Sequence, residues 1–405
     1  MTRERRRGSF SALSRFLLLL FFLSGCGGGG GGGGGGSSSS SSPPPVYKNQ
    51  IVVQLLPGQL NIPTVSVTLC VPGTSTCQTI DNILLDTASV GLRISHSVLS
   101  LSLPQVTDGS SEVFECYKFS TSDTFGPVVS ADVTLGGEPA ATNLDVQISN
   151  HTLSAPSSCT PSTITASGVN GILGVGYPFA QYDTGDYYAC SASGCSSGTS
   201  TLSCSRLTNP SAPCQVANPV FSFPTDNNGV TLSLPSVPEL TGSASPVYGV
   251  LTFGIGTQSD NTLSGVTTYT VDTSATSGCG SSNFLDASFT GGPSGSCAFL
   301  DSGSNGLFFG TTAYPTCGSG GSWYCPSPSP SSTAFSVTGA NGATGSFTLS
   351  ILSEKTIAQS GNIAWNDLAG PYGSSGTFDA GLPFFFGKTV AVGYQTGSQT
   401  PFWAF

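Results

Sequence analysis

Short runs rich in Val, Ile, Thr and Phe, broken by Gly, Asn, Ser and Pro, recur from residue 46 to the end of the chain. Residues 64–70, TVSVTLC, alternate polar and apolar positions with a period of two, the pattern of a strand with one buried face. A Pro-Gly turn at 72–73 follows, and residues 78–85 run into Asp86. The two runs predict a hairpin that feeds this aspartate. Residues 269–272 and 283–289 are further predicted strands, leading to Asp301. No stretch keeps a helical period over several turns, so the chain is predicted to be all-β.

The run into Asp86 belongs to a repeat. Residues 84–94 read LLDTASVGLRI and residues 299–309 read FLDSGSNGLFF. Each copy has two apolar residues, an aspartate, Thr or Ser, a small residue, Ser, one variable position, Gly-Leu and a further pair. A single D-T-x-S in a chain this rich in Ser and Thr is an Asx-type turn. Two apolar-flanked copies point instead to a duplicated unit that brings two carboxylates together.

These motifs resemble the active-site loops of pepsin-like aspartic proteases, in which each of two lobes contributes an aspartate from a D-[ST]-G-[ST] turn. The resemblance implies an all-β, bilobal pepsin-like aspartic protease fold with two duplicated β lobes and a central cleft. It makes Asp86 and Asp301 the catalytic pair, with Thr87, Ser89, Ser302, Gly303 and Ser304 supporting it. Thr87 and Ser302 would exchange hydrogen bonds between the lobes; Ser89 and Ser304 would bond the carboxylates from outside. Residues 168–179, GVNGILGVGYPF, resemble the family's crossing beneath the first catalytic loop through Ile172, Leu173 and Gly174. Residues 219–223 (PVFSF) and 249–256 (GVLTFGIG) resemble the passage between lobes. Residues 119–126 resemble the flap, with Phe119 at the place of its tyrosine and Tyr117 on the same face two residues earlier. Residues 378–384, FDAGLPF, stand where the second crossing belongs, with Asp379 at a normally apolar position. Ala88 departs from the family's glycine in the first loop.

The start of the chain changes the picture of where it works. Arg3, Arg5, Arg6 and Arg7 precede an apolar run at 16–23 and then LSGC, which ends at Cys26. This is the pattern of a secretory signal with a lipoprotein cleavage box, over residues 1–25. Cys26 is the expected lipid-attachment site, which makes the membrane a partner through the lipid anchor. Gly27 after it points to an outer-membrane lipoprotein of the cell envelope, facing the periplasm or the surface. Residues 26–45 carry Gly, Ser and Pro runs and read as a tether. The lobes are expected at 46–235 and 236–405.

Of 13 cysteines, all but Cys26 make an even set in an exported protein, and disulfides are expected. Cys70 with Cys77 and Cys317 with Cys325 are the local pairs; four more, Cys190, Cys195, Cys204 and Cys214, would pin an insertion. With no C-x-x-C, and His96 and His151 as the only histidines, no metal site is expected. The 11 Lys and Arg face 21 Asp and Glu, and five of the bases lie in the signal. Such acidity argues against nucleic acid as a partner.

Two carboxylates brought together share one proton. The pair would activate a water against a peptide bond, with no cofactor. The expected protein is a monomeric, exported, lipid-anchored aspartic endopeptidase whose cleft takes a peptide or protein. The alternative is a catalytically inactive binding protein of the same fold, which Ala88 and Phe119 favour and the two aspartates oppose.

Overall fold

In the computed structural model the Pro63–Cys70 and Cys77–Asp86 strands pair antiparallel, with Cys70 opposite Cys77 and a disulfide closing the hairpin. Val65, Val67 and Leu69 are buried on the first strand, and Ile80, Ile83 and Leu85 on the second. The structure describes residues 42–149, 153–164, 168–176, 178, 180–191, 194–197, 204–205, 214–271, 284–318, 321–373, 376–397 and 399–405. The signal, Cys26, the tether up to residue 41 and His151 lie outside these residues.

The fold is all-β. Among the described residues the strands form sheets of 17 and 7 strands, and the two α-helices are single turns, Glu354–Ala358 and Leu382–Phe385. No helix there is long and apolar enough to cross a membrane. The smaller sheet runs from the Thr344–Ile351 strand through Ser331–Thr338, Leu285–Phe289, Ser296–Asp301, Thr377–Gly381 and Leu307–Phe309 to Ala369–Gly370. Its core is aromatic: Phe378 stacks on Phe309 at 4.9 Å and on Phe335 at 4.2 Å.

The two lobes repeat one crossing. The strand that delivers Asp86 pairs parallel with Gly171–Val175, placing Asp86 opposite Gly174. The Ser296–Asp301 strand pairs parallel with Thr377–Gly381, placing Asp301 opposite Gly381. Each glycine admits a backbone that a side chain would push away. A Cβ at Gly174 would lie 2.6 Å from the Ser89 carbonyl carbon, and one at Gly381 would lie 2.0 Å from the Gly306 oxygen.

A continuous antiparallel succession joins the lobes: Gln50–Leu55, Tyr248–Phe253, Gly229–Ser233, Thr389–Gly393, Phe402–Ala404 and Thr268–Thr270. The strand predicted at 269–272 is thus Thr268–Thr270, and it pairs here instead of joining the sheet that carries Asp301. Burial explains the choice. Tyr269 is 2% exposed and stacks on Phe405 at 4.7 Å, contacts that become available only when the end of the chain returns.

The local disulfides Cys70–Cys77, Cys190–Cys195 and Cys317–Cys325 form, and Cys116–Cys159 spans 43 residues.

Candidate active site

Asp86 ends a strand whose inward residues are fully buried, so the carboxyl is delivered at the floor of the cleft with 6% of its surface exposed. The next residue ties it to the other lobe. Thr87 donates its backbone N–H to Ser302 Oγ at 3.1 Å, and Ser302 donates its own to Thr87 Oγ1 at 2.9 Å. Thr87 Oγ1 in turn donates to the Leu300 carbonyl at 2.9 Å, and Ser302 Oγ to the Leu85 carbonyl at 2.7 Å. Four hydrogen bonds thereby fix both loops relative to one another, all between buried groups that have no water to fall back on.

The carboxylates are held in matching ways. Asp86 Oδ1 accepts from the Ala88 N–H at 2.7 Å, and Oδ2 from Ser89 Oγ at 2.6 Å. Asp301 Oδ1 accepts from the N–H groups of Gly303 at 2.8 Å and Ser304 at 3.2 Å, and Oδ2 from Ser304 Oγ at 2.8 Å. The two carboxyl groups come close enough for the charge of one to act on the other. A Cβ on Gly303 would sit 3.1 Å from Oδ1 of both aspartates and 2.9 Å from Asp86 Cγ. Ala88, at the matching place in the first loop, is half-buried and still donates its N–H. Burial, and then the charge of Asp86, push the Asp301 carboxyl well above the usual range, against the donors from Ser304 and Gly303.

The Ser111–Lys118 and Asp123–Thr134 strands form a hairpin with its turn at 119–122. Tyr117 is the last strand residue but one and Phe119 lies in the turn, their rings in edge contact at 4.7 Å. The Asp86 charge is among those that raise the Tyr117 phenol, after burial. At the tip, Ser120 lies near the phenol of Tyr372 from the second lobe.

Tyr117 rests on a group that the sequence pattern did not single out. The Arg93 guanidinium lies 3.8 Å from its ring centroid. Arg93 is fully buried, donating to the Val90 carbonyl at 2.8 Å, to Glu115 at 2.6 Å and to Asp183. Asp183 also accepts from Tyr187 at 2.6 Å. Burial works against the Arg93 charge, but the two acids outweigh it and hold the guanidinium charged. Burial pushes Glu115 well above the usual carboxylate range even beside Arg93. The one available signal was an arginine inside the otherwise apolar run VGLRI.

Asp379 also reaches the site. Its Oδ2 lies 2.7 Å from Ser304 Oγ, the same hydroxyl that bonds Asp301.

Among the described residues one group of potential metal ligands comes together, Cys116, Asp123 and Cys159, and both sulfurs are in a disulfide.

A family described as "Protein of unknown function (DUF3443)" matches residues 46–405. No curated protein matches the chain. Among solved structures, the aspartic proteinase from Irpex lacteus superposes with a TM-score of 0.53 at 16% identity, covering 88% of this chain and 96% of that one. The fold is that of the pepsin-like aspartic proteases.

Proposed function

We propose that this chain, which belongs to the DUF3443 family of proteins of unknown function, is an aspartic endopeptidase. One observation carries the reading: two buried carboxyl groups, whose Oδ1 atoms lie equally near the Gly303 Cα face, are held side by side by reciprocal bonds between Thr87 and Ser302. Such a pair keeps one proton between two oxygens, because both cannot ionise together.

Asp301 holds the shared proton, since burial and its neighbour disfavour its anion. Asp86 is the base. It takes a proton from water as the water oxygen attacks the scissile carbonyl carbon, while Asp301 gives its proton to the carbonyl oxygen. The tetrahedral carbon then expels the amine, which leaves with the proton from Asp86, and Asp301 recovers its own from the hydroxyl. Ser89 and Ser304 keep the carboxyl planes aligned throughout. The hairpin at 111–134 covers the peptide, with Tyr117 and Phe119 as its aromatic face.

The chain is exported and anchored to the outer membrane through acylated Cys26. The substrate is a peptide or protein of the envelope or its surroundings.

The test is cleavage of a mixed peptide library by the purified full chain across acid to neutral pH, beside Asp301→Asn and a transition-state-mimicking inhibitor of aspartic proteases. Cleavage abolished by both supports the pair as catalytic. A folded, disulfide-intact protein that cleaves nothing at any pH sinks the reading and leaves a binding protein in its place.

A further inference from the structure

Asp379 gives the site a third carboxyl group, and the first lobe has no equivalent. In the first crossing Ile172 lies opposite Leu84, two residues before Asp86; in the second, Asp379 lies opposite Phe299, two residues before Asp301. An acid thus stands where the duplicated unit carries an isoleucine. It is 4% exposed, and its Oδ1 is buried without a partner.

The bonds at Ser304 constrain the protons. Ser304 Oγ lies 2.8 Å from Asp301 Oδ2 and 2.7 Å from Asp379 Oδ2. A serine hydroxyl has one hydrogen, so it donates to one of these carboxyls and accepts from the other. The accepting bond requires that the other carboxyl carry a proton. The Asp301 proton, on the reading above, is shared with Asp86 and is not free for Ser304, and Asp301 Oδ1 already accepts the N–H groups of Gly303 and Ser304. Asp379 has Ser304 and an unpartnered oxygen. The proton therefore belongs on Asp379. The titratable groups that act on it are Asp301, Asp86 and the Tyr372 phenol, none of them a cation. In the first lobe Ser89 bonds Asp86 with no second acid behind it.

We propose that Asp379 is a protonated positioning residue of this site, which donates to Ser304 Oγ, so commits the Ser304 hydrogen to Asp301, and by ionising closes the pH range in which the pair works. The proposal rests on the reading of Asp86 and Asp301 as a catalytic pair. On ionisation the Asp379 proton leaves to solvent, and Ser304 turns its hydrogen from Asp301 towards the new anion. Asp301 then loses a donor and gains a negative neighbour. Its proton is held too tightly to be passed to a carbonyl oxygen, and the rate falls. Burial and the charges of Asp301 and Asp86 do raise the Asp379 carboxyl well above its ordinary range, which places this limb above that of a free carboxylate.

Two variants of the full chain test this. In Asp379→Asn the amide donates to Ser304 but cannot ionise. It still cleaves peptide in acid, and the alkaline limb of kcat moves up by ~1 pH unit or more. In Asp379→Ile, which restores the side chain of the first lobe, Ser304 has no donor, and kcat falls about tenfold with KM little changed. An Asp379→Asn limb that coincides with the wild type overturns the proposal. Thermal unfolding from about pH 4 to about pH 8 gives a readout independent of catalysis. A buried acid that stays protonated costs the wild type stability as pH rises, so both variants gain on it with pH. A gap that stays constant in whichever variant folds overturns the proposal. If the wild type cleaves nothing, the catalytic reading fails, and the unfolding gap still decides where the proton sits.

Discussion

Thr87 and Ser302 exchange backbone N–H and side-chain oxygen across the cleft, at 3.1 Å and 2.9 Å, and each hydroxyl passes its own hydrogen to a carbonyl of the opposite strand. Thr87→Val keeps the shape and removes the oxygen, leaving the Ser302 N–H and the Leu300 carbonyl unpaired in a buried place. The expected cost is about 1–3 kcal/mol of stability, read by denaturant unfolding, with a loss of cleavage larger than the stability loss explains.

Gly303 and Ala88 occupy equivalent places in the two loops, yet they are not interchangeable. Gly303→Ala puts a carbon 2.9 Å from Asp86 Cγ. The carboxyls must part, and kcat should fall about a hundredfold or more. Ala88→Gly keeps the N–H that already reaches Asp86 at 2.7 Å, and kcat/KM should stay within about threefold. A large gain from Ala88→Gly would mean that the methyl group hinders catalysis.

The raised Asp301 carboxyl has a signature in stability. An acid that titrates higher in the folded state than in the unfolded chain contributes stability in full below its unfolded value, and that contribution is lost as pH rises through the folded value. The window for Asp301 therefore opens at about pH 4 and extends upward, by the direction of its shift. Asp301→Asn should melt higher than the wild type near neutral pH, with the gap closing as the pH falls to about 4. An unfolding temperature gap that does not vary with pH would contradict this.

Arg93, Glu115 and Asp183 make a cluster of one buried cation and two acids beneath Tyr117. Arg93→Met leaves both acids buried without their cation and should cost roughly 3–5 kcal/mol. Glu115→Gln keeps a hydrogen-bond acceptor for Arg93 and leaves Asp183 as its counter-charge, so it should cost less than Arg93→Met. Chemical denaturation of the two variants separates these outcomes. Equal losses would mean that Asp183 alone cannot balance the buried guanidinium.

The covering hairpin comes near the second lobe where Ser120 approaches Tyr372. Tyr372→Phe removes the phenolic oxygen that Ser120 approaches without removing the ring in edge contact with Phe299 at 6.4 Å. KM should rise about two- to tenfold while kcat changes less, since a looser cover weakens ground-state binding. A change confined to kcat would place Tyr372 in the chemistry instead.

The sequence alone determined the all-β class, the two aspartates and the local staples. Each is written within one short window: the period-two alternation of 64–70, the eleven-residue repeat at 84–94 and 299–309, and cysteines separated by 7 and 8 residues. Strand pairing is not local. That Thr268–Thr270 lies beside Phe402–Ala404, and that Cys116 meets Cys159, depends on which buried faces fit once distant segments meet. The Arg93 cluster has the same origin, because an arginine and two acids far apart in the chain become tolerable in a core only when they pair with one another. Asp379 shows the limit most clearly. In the sequence it is an acid at a position that should be apolar; in the structure, parallel pairing with the Asp301 strand places it one hydroxyl away from the carboxyl pair. Alternation decides which residues face inward, and register decides what they meet there.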